Sequence, residues 1–124
     1  VISRGHNLKE QLNQAYAHAE MMAIQKAAEV KGNWCLNDCD LYVTLEPCMM
    51  CTGIINLSRI RSVYYGTTDP KGGCLETVID LKKINRLNHY PNIVGNILQK
   101  ECAEILTNYF RKKREITKRE KTEK

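Results

Sequence analysis

Apolar residues in the first half of the chain recur in patterns that predict three successive elements. Residues 17–30 carry apolar side chains at helical spacing, and Lys31-Gly32 is the kind of glycine stop that ends helices. Residues 40–46, DLYVTLE, are rich in β-branched and aromatic side chains and predict a strand. Pro47 then fits the first position of a second helix, PCMMCTGIINLSR.

The second half of the chain continues this alternation. Residues 62–69, SVYYGTTD, predict a strand, and the Pro and Gly residues that follow predict a loop. A short apolar piece around Ile93 and Val94 predicts another strand. No Gly or Pro occurs from Asn96 onward, which predicts one long final helix. Strands that alternate with helices favour an α/β fold with a sheet covered on both faces.

Length and composition indicate one globular domain. The chain has 124 residues, of which 43% are hydrophobic and 27% charged, so residues 1–124 suit a single core. No apolar run approaches the ~18 residues of a membrane span, and no secretory signal opens the chain. Six cysteines in such a chain fit a reducing compartment, where thiols often bind metal. We therefore expect a soluble, cytoplasmic protein.

The net charge of +5 is concentrated at the C-terminus. The basic tail, residues 111–124, has eight basic and three acidic residues, which leaves eleven of each sign elsewhere, 19 minus 8 and 14 minus 3. This asymmetry favours a polyanionic partner. A solvated helix end, where cations favour the helix dipole, explains it equally well.

The two predicted helix starts carry candidate metal ligands. Cys48 and Cys51 are three residues apart, so a helix would place both thiols on one face. The positive end of the helix dipole favours thiolates, the form that binds metal. His18, at the start of the earlier helix, supplies a third donor. Zinc accepts mixed sulfur and imidazole donors, and three protein ligands with one open position is the catalytic arrangement.

Glu20 follows His18 by two residues and is placed to move protons. A zinc ion acidifies its bound water toward hydroxide at neutral pH. A nearby group must then take the proton and deliver it to the substrate nitrogen and the leaving group. In the first turn of a helix both side chains can reach past its end into a shared cavity. The pattern therefore predicts a hydrolytic centre.

Other interpretations of these residues remain open. A lone histidine in an alanine-rich helix is most often a hydrogen-bonded core residue, and a lone glutamate is most often solvated. The CMMC stretch also fits a thioredoxin-like redox motif, although that leaves His18 and Glu20 unexplained. A structural site of four cysteines would add Cys35 and Cys39. Cys35 and Cys39 precede the strand, whereas Cys48 follows it. At the rise of a strand the two pairs of cysteines are about 20 Å apart, which disfavours a four-cysteine site.

Together, HAE at residues 18–20 and PCMMC at residues 47–51 mark the zinc-dependent cytidine deaminase-like superfamily. Narrower motifs spread over nearly the whole chain are GHN, TLEPC, SRI, YYGTTDPKGG, NH at residues 88–89 and YFRKKR. On these motifs the chain resembles the bacterial tRNA-specific adenosine deaminase family.

This resemblance implies a fold and a reaction. The fold would be a three-layer α/β/α cytidine deaminase-like domain with a central mixed sheet. His18, Cys48 and Cys51 would hold one Zn²⁺ per subunit, and Glu20 would be the proton shuttle. The reaction would be hydrolytic deamination of adenosine to inosine at the wobble position of a tRNA anticodon, with zinc-bound hydroxide attacking C6. The family usually acts as a homodimer.

The resemblance also implies where the tRNA anticodon stem-loop binds. Asn7 would contact the target base, and Asp69, Lys71, His89 and the region around Arg111 would line the RNA channel. Phosphates would meet the basic residues 111–114, so affinity should fall steeply with salt. Single-stranded loop bases can be splayed out and read on their edges, which suits such an enzyme.

The chain departs from the family pattern in two places. Relatives usually begin with another helix and strand before the position of Val1, and VISRGHN resembles the end of a strand. We therefore expect that an N-terminal helix and strand are missing here. Tyr16 stands where many relatives carry a small residue or proline, which changes the rim of the pocket.

Two competing functions stay open at this point. The zinc chemistry would also serve a deaminase of a free base or nucleotide, such as guanine or cytosine, although such an enzyme has no use for the basic tail. A non-catalytic zinc-containing RNA-binding module, in which Glu20 is incidental, is the second alternative. Adenine and cytosine are distinguished by pocket shape, so only the resemblance favours adenine.

Overall fold

The computed structural model describes the backbone of residues 1–8 and 12–123, and the side chains of residues 1–8 and 12–116. The side chains of the last four basic residues of the tail therefore lie outside the described part of the chain. Elements follow in the order α1 (Ala19–Lys31), β1 (Asp40–Leu45), α2 (Met49–Leu57), β2 (Ser62–Thr67), a 3-10 turn (Leu81–Lys83), β3 (Asn92–Val94) and α3 (Gln99–Glu123). The predicted order of helices and strands is confirmed.

Both early helices begin slightly later than predicted. His18 and Cys48 have extended backbones, with ψ of 155° and 178°, and each is the residue that caps its helix. Pro47 therefore precedes the cap instead of taking the first helical position. Gly32 ends α1 in the left-handed conformation, with φ of 64°, as the glycine stop predicts.

The three described strands form a parallel sheet in the order β1-β2-β3. Tyr42 pairs with Tyr64 and Val63 with Ile93 in the register. An antiparallel strand that would make the sheet mixed does not occur in residues 1–8 or 12–123. Residues 1–8 form no strand, because they run along α1, where the Ser3 hydroxyl donates to the carbonyl of Ala23 at 2.7 Å.

The core lies between one face of the sheet and the first two helices. Inward-facing strand residues pack with α1, α2 and the loops in one buried cluster, whose members include Leu36, Leu41, Ile55, Val63, Tyr65 and Leu75. The opposite face meets α3, and a Cβ added at Gly66 would lie 2.2 Å from Cys102 Sγ. The three layers of the predicted α/β/α fold are therefore present.

Part of the α3 side of the sheet is uncovered. Tyr42 and Tyr64 stack there with ring centroids 4.7 Å apart, and Tyr42 is 72% exposed.

None of the helices in the described part of the chain is apolar and long enough to span a membrane. The carboxyl ends of β1 and β2 meet at one edge of the parallel sheet, and α2 starts there.

Candidate active site

His18, Cys48 and Cys51 form a cluster of possible metal ligands at that edge. Their donor atoms all lie within 4.8 Å of one another, and His18 Nδ1 is 3.7 Å from the Sγ atom of each cysteine. No other group of three such residues in the described part of the chain could hold a metal ion. His18 caps α1, Cys48 caps α2, and Cys51 lies in the first turn of α2. Two helix N-termini therefore converge on the cluster.

The electrostatics of the cluster call for a cation. Cys51 is fully buried, and burial together with the nearby Glu20 carboxylate raises the pKa of its thiol. Ionised thiols and a carboxylate repel one another in a buried volume, whereas a divalent ion between them reverses the effect and favours the thiolates. One imidazole and two thiols suit a metal that accepts nitrogen and sulfur donors in tetrahedral geometry. The residues therefore fit a metal with one open position.

Glu20 lies beside these ligands, as its position in the first turn of α1 predicts. Its carboxylate helps to raise the pKa of the Cys51 thiol, and Glu20 is half-buried. A carboxylate at this place would be available as an acid-base group beside a metal ion that these residues would hold. The sequence pattern HAE thus brings one ligand and one acid-base group to the same end of α1.

Asn7 lies close to the start of α1 through tight backbone packing. A Cβ at Gly5 would be 2.3 Å from the carbonyl oxygen of Ala19 and 2.7 Å from the amide nitrogen of Ala23. The amide of Leu8 donates to the carbonyl of Ala17 at 2.8 Å. Residues 5–8 are therefore held against the helix end that carries His18, and Asn7 is exposed between these two contacts.

A groove of about 1130 Å³ separates the loop after β2 from α3. Its lining combines apolar and basic residues, namely Leu45, Thr67, Thr68, Asp69, Pro70, Lys71, Ala103, Leu106, Thr107, Phe110, Lys113 and Arg114. Asp69 Oδ1 accepts from the amides of Lys71 and Gly72 at 3.0 and 3.2 Å, so this carboxylate also shapes its own loop. Asp69 and Lys71 thus face the basic residues of α3 across the groove.

Arg111 and His89, the other two predicted RNA contacts, lie elsewhere. Arg111 is exposed on α3, where its guanidinium donates to Asn108 Oδ1 at 2.8 Å. His89 Nε2 is 2.6 Å from the carbonyl oxygen of Ile60, just before β2 begins. That is the opposite end of the sheet from the metal ligands. His89 anchors a loop there, and its RNA contact stays a prediction.

Glu46 is a site residue that the sequence patterns did not single out. It is only 2% exposed, and its carboxylate lies under the loop that carries Asp69. The TLEPC motif contains it, so a charged residue between a strand and a metal ligand was the available signal. No lysine or arginine lies close to Glu46 in the sequence. The sequence therefore does not indicate which groups bind its buried carboxylate.

Comparison with known proteins defines the class first. Residues 1–114 match the MafB19-like deaminase family, so the chain belongs to a family of deaminases. A Bacillus subtilis protein named tRNA-specific adenosine deaminase is 44% identical over 118 residues, which are 95% of this chain and 73% of that protein. The chain belongs to the tRNA-specific adenosine deaminase family.

Two solved deaminase structures are similar to this chain. A structure from work on A-to-I editing by tRNA:A34 deaminases at the wobble position of transfer RNA has a TM-score of 0.81 and 43% identity, over 85% of this chain and 76% of that one. Guanine deaminase from Bacillus subtilis has a TM-score of 0.54 and 43% identity, over 55% of this chain and 43% of that one. The predicted family, cytidine deaminase-like fold class and enzyme class are confirmed.

Proposed function

We propose that this chain is an enzyme that hydrolyses adenosine to inosine at the wobble position of a tRNA anticodon, with one zinc ion per subunit. The observation that carries the proposal is the cluster of His18, Cys48 and Cys51 with the Glu20 carboxylate beside it. Membership of the tRNA-specific adenosine deaminase family supports the substrate. The wobble-position deaminase structure with a TM-score of 0.81 supports the position of the target base.

His18, Cys48 and Cys51 would hold the zinc ion through one nitrogen and two sulfur atoms. A zinc ion held in this way supplies an acidified water as the nucleophile for C6 of adenine. His18 caps α1, Cys48 caps α2 and Cys51 lies in the first turn of α2, so two helix starts hold the three ligands. The chain's own contribution at this point is therefore a preformed set of ligands that leaves one position free for water.

Glu20 would carry the protons of the reaction. It takes a proton from the attacking water and gives it to N1 of the purine as the C6–O bond forms. It then takes the second water proton and passes it to the amino group, which leaves as ammonia when the C6–N bond breaks. One water is consumed and one ammonia released, so the atoms balance. The effect of the Glu20 carboxylate on the pKa of the Cys51 thiol supports this role, because it requires the carboxylate to lie near the ligand cluster.

The RNA would bind through the exposed residues around the metal centre. Asn7, beside the start of α1, would contact the target base, and Asp69, Lys71 and Arg111 would meet the anticodon loop. Lys113 and Arg114 line the groove opposite Lys71, which supports a path for phosphates there. Exposed apolar residues on α2, Met49 at 67% and Leu57 at 64%, support a homodimer. The tRNA substrate supports a cytoplasmic location.

Inosine formation on an anticodon stem-loop with adenosine at the wobble position tests the proposal. The zinc-loaded protein is compared with Glu20→Ala, and Glu29→Ala on the exposed side of α1 is the matched control. We expect inosine from the wild type and the control, and a loss of about 10²–10⁴-fold or more in Glu20→Ala, with zinc and RNA still bound. Free adenosine, cytidine and guanine are run in parallel.

Each other outcome has a distinct meaning. Turnover of a free base without turnover of the RNA would keep the zinc chemistry and contradict the RNA substrate. RNA binding without any turnover, unchanged by Glu20→Ala, would favour the non-catalytic binding module. Full activity in Glu20→Ala would exclude this residue as the proton carrier.

A further inference from the structure

Glu46 uses its whole carboxylate to hold one loop. Glu46 directly precedes Pro47 and the proposed metal ligand Cys48 in the sequence, and it is 2% exposed. Five donors from the loop after β2 point at its two oxygens. Oε1 accepts from the Asp69 amide at 3.3 Å and the Thr77 hydroxyl at 2.6 Å, and Oε2 accepts from the amides of Leu75, Glu76 and Thr77 at 3.1, 2.8 and 3.1 Å.

The loop also closes on the backbone around Glu46. The Glu46 amide donates to the carbonyl of Thr67, and the Cys74 amide donates to the carbonyl of Pro47, both at 2.9 Å. A Cβ at Gly73 would lie 2.3 Å from Glu46 Oε1, so only glycine allows the loop to come this close. Residues 69–77 are therefore wrapped around a single side chain.

This arrangement leaves Glu46 only one kind of role. An ionised carboxylate has about four lone-pair sites, and five loop donors occupy them. It has no capacity left to ligate a metal or to exchange a proton with substrate. Hydrogen bonds to a buried charged acceptor are among the stronger ones, so the loop is held firmly.

The loop that Glu46 holds carries the groove residues Asp69 and Lys71. Glu46 therefore connects two parts of the site. Its side chain holds the loop on the proposed RNA side, and its backbone leads into Cys48. We propose that Glu46 is a positioning residue that sets the place of residues 69–77 relative to the metal centre, and so the distance from the bound RNA backbone to the reacting base. The inference rests on the proposed function and concerns the same site.

Glu46→Gln is the sharpest test, because it changes one acceptor into a donor without changing size. If the carbonyl oxygen of the glutamine accepts from residues 75–77, its NH₂ group faces the Asp69 amide, where a donor meets a donor. Glu76→Gln is the matched control in the same loop. Glu76 Oε1 accepts from the Tyr65 hydroxyl at 2.6 Å, and a glutamine carbonyl can still accept that bond.

Amide hydrogen exchange measures the opening of the loop directly and does not depend on enzyme activity. We expect the amides of Asp69, Leu75, Glu76 and Thr77 to exchange at least about tenfold faster in Glu46→Gln, while α1 is unchanged. Steady-state kinetics on the anticodon stem-loop should show KM raised about tenfold and kcat changed less than about threefold, because Glu20 and the ligands are untouched. Glu76→Gln should leave both the exchange rates and KM near wild type.

Replacing the native metal with Co²⁺ tests the metal ligands independently of the loop. The absorption bands of Co²⁺ bound to thiolates should be the same in wild type and Glu46→Gln. A changed spectrum, or unchanged exchange and KM in a folded Glu46→Gln protein, would overturn the inference. If Glu46→Gln fails to fold, Thr77→Val removes one of the five bonds, and it should speed exchange of the loop amides and raise KM to a smaller extent.

Failure of the proposed function would look different. A wild type that forms no inosine from the stem-loop contradicts that function and removes the expected KM effect with it. The exchange rates in Glu46→Gln would still decide whether Glu46 holds residues 69–77. Normal inosine formation together with unchanged loop exchange would contradict the positioning role alone.

Discussion

His18 Nδ1 lies 3.7 Å from Cys51 Sγ, although 33 residues separate the two along the chain. Each belongs to the first turn or cap of a different helix, and the two helices start at the same edge of the sheet. Three donors thereby meet at one end of the sheet.

Removal of the metal is expected to expose the cluster to thiol reagents. Cys48 and Cys51 should react slowly in the metal-loaded protein and faster after treatment with a chelator, because the ion protects both sulfurs. Cys51→Ala should lose stoichiometric metal binding, whereas Cys102→Ala on α3 should keep it. Thiol titration with and without chelator and metal analysis measure these effects. Equal reaction rates with and without chelator would favour the redox alternative.

The basic side of the groove should control the salt dependence of RNA binding. Lys113→Ala and Arg114→Ala are each expected to weaken binding of the stem-loop and to lower the slope of log K against log salt by about one. Both residues line the groove. Binding titrations at several salt concentrations measure the slope. Lys100→Ala, an exposed change on the same helix outside the groove, should leave the slope unchanged. An equal decrease of the slope in all three variants would instead support a general effect of the charge of the helix.

Gly66 allows α3 to pack on the sheet, and alanine there should be destabilising. The new Cβ would lie 2.2 Å from Cys102 Sγ and 2.8 Å from the carbonyl oxygen of Thr44. We expect a loss of about 1–3 kcal/mol in the free energy of unfolding. Gly53→Ala in α2 meets nothing within 4 Å and should gain about 0.5–1 kcal/mol, since glycine is a poor helix former. Urea unfolding of both variants measures the opposite signs, and equal effects would contradict the packing argument.

The Asp40–Arg61 ion pair should contribute stability that disappears in acid. Arg61 Nε and Nη2 donate to the two carboxylate oxygens at 2.9 Å each, and this contact holds the pKa of Asp40 below its ordinary value of 3.8. A carboxyl whose pKa is lower in the folded state stabilises the fold above the unfolded value and stops doing so as pH falls through the folded value. Asp40→Asn should therefore cost stability at pH 7 and little at about pH 2.

Unfolding of wild type and Asp40→Asn at the two pH values measures that difference. The pair is exposed to solvent, so high salt should reduce the difference at pH 7. A difference that is the same at both pH values would mean that the charge of Asp40 is not what matters.

Much of the candidate metal centre could be predicted from the sequence because its determinants are local. A residue that caps a helix points toward the helix end, so HAE and PCMMC each place their functional side chains at a predictable point. The order of strands and helices follows from apolar periodicity in the same way. That the two helix ends meet was inferred from the chemistry of the ligands, since no single element contains all three.

The sequence by itself thus determined the order of elements and predicted the candidate metal ligands and the place of Glu20 near them. Only the tertiary structure decided the hydrogen-bond partners of Glu46, the place of His89 at the far end of the sheet and the close approaches at Gly5 and Gly66. The reason is physical. Caps and periodicity act over a few residues, whereas the partners of a buried carboxylate or a glycine depend on how distant loops and layers close upon one another.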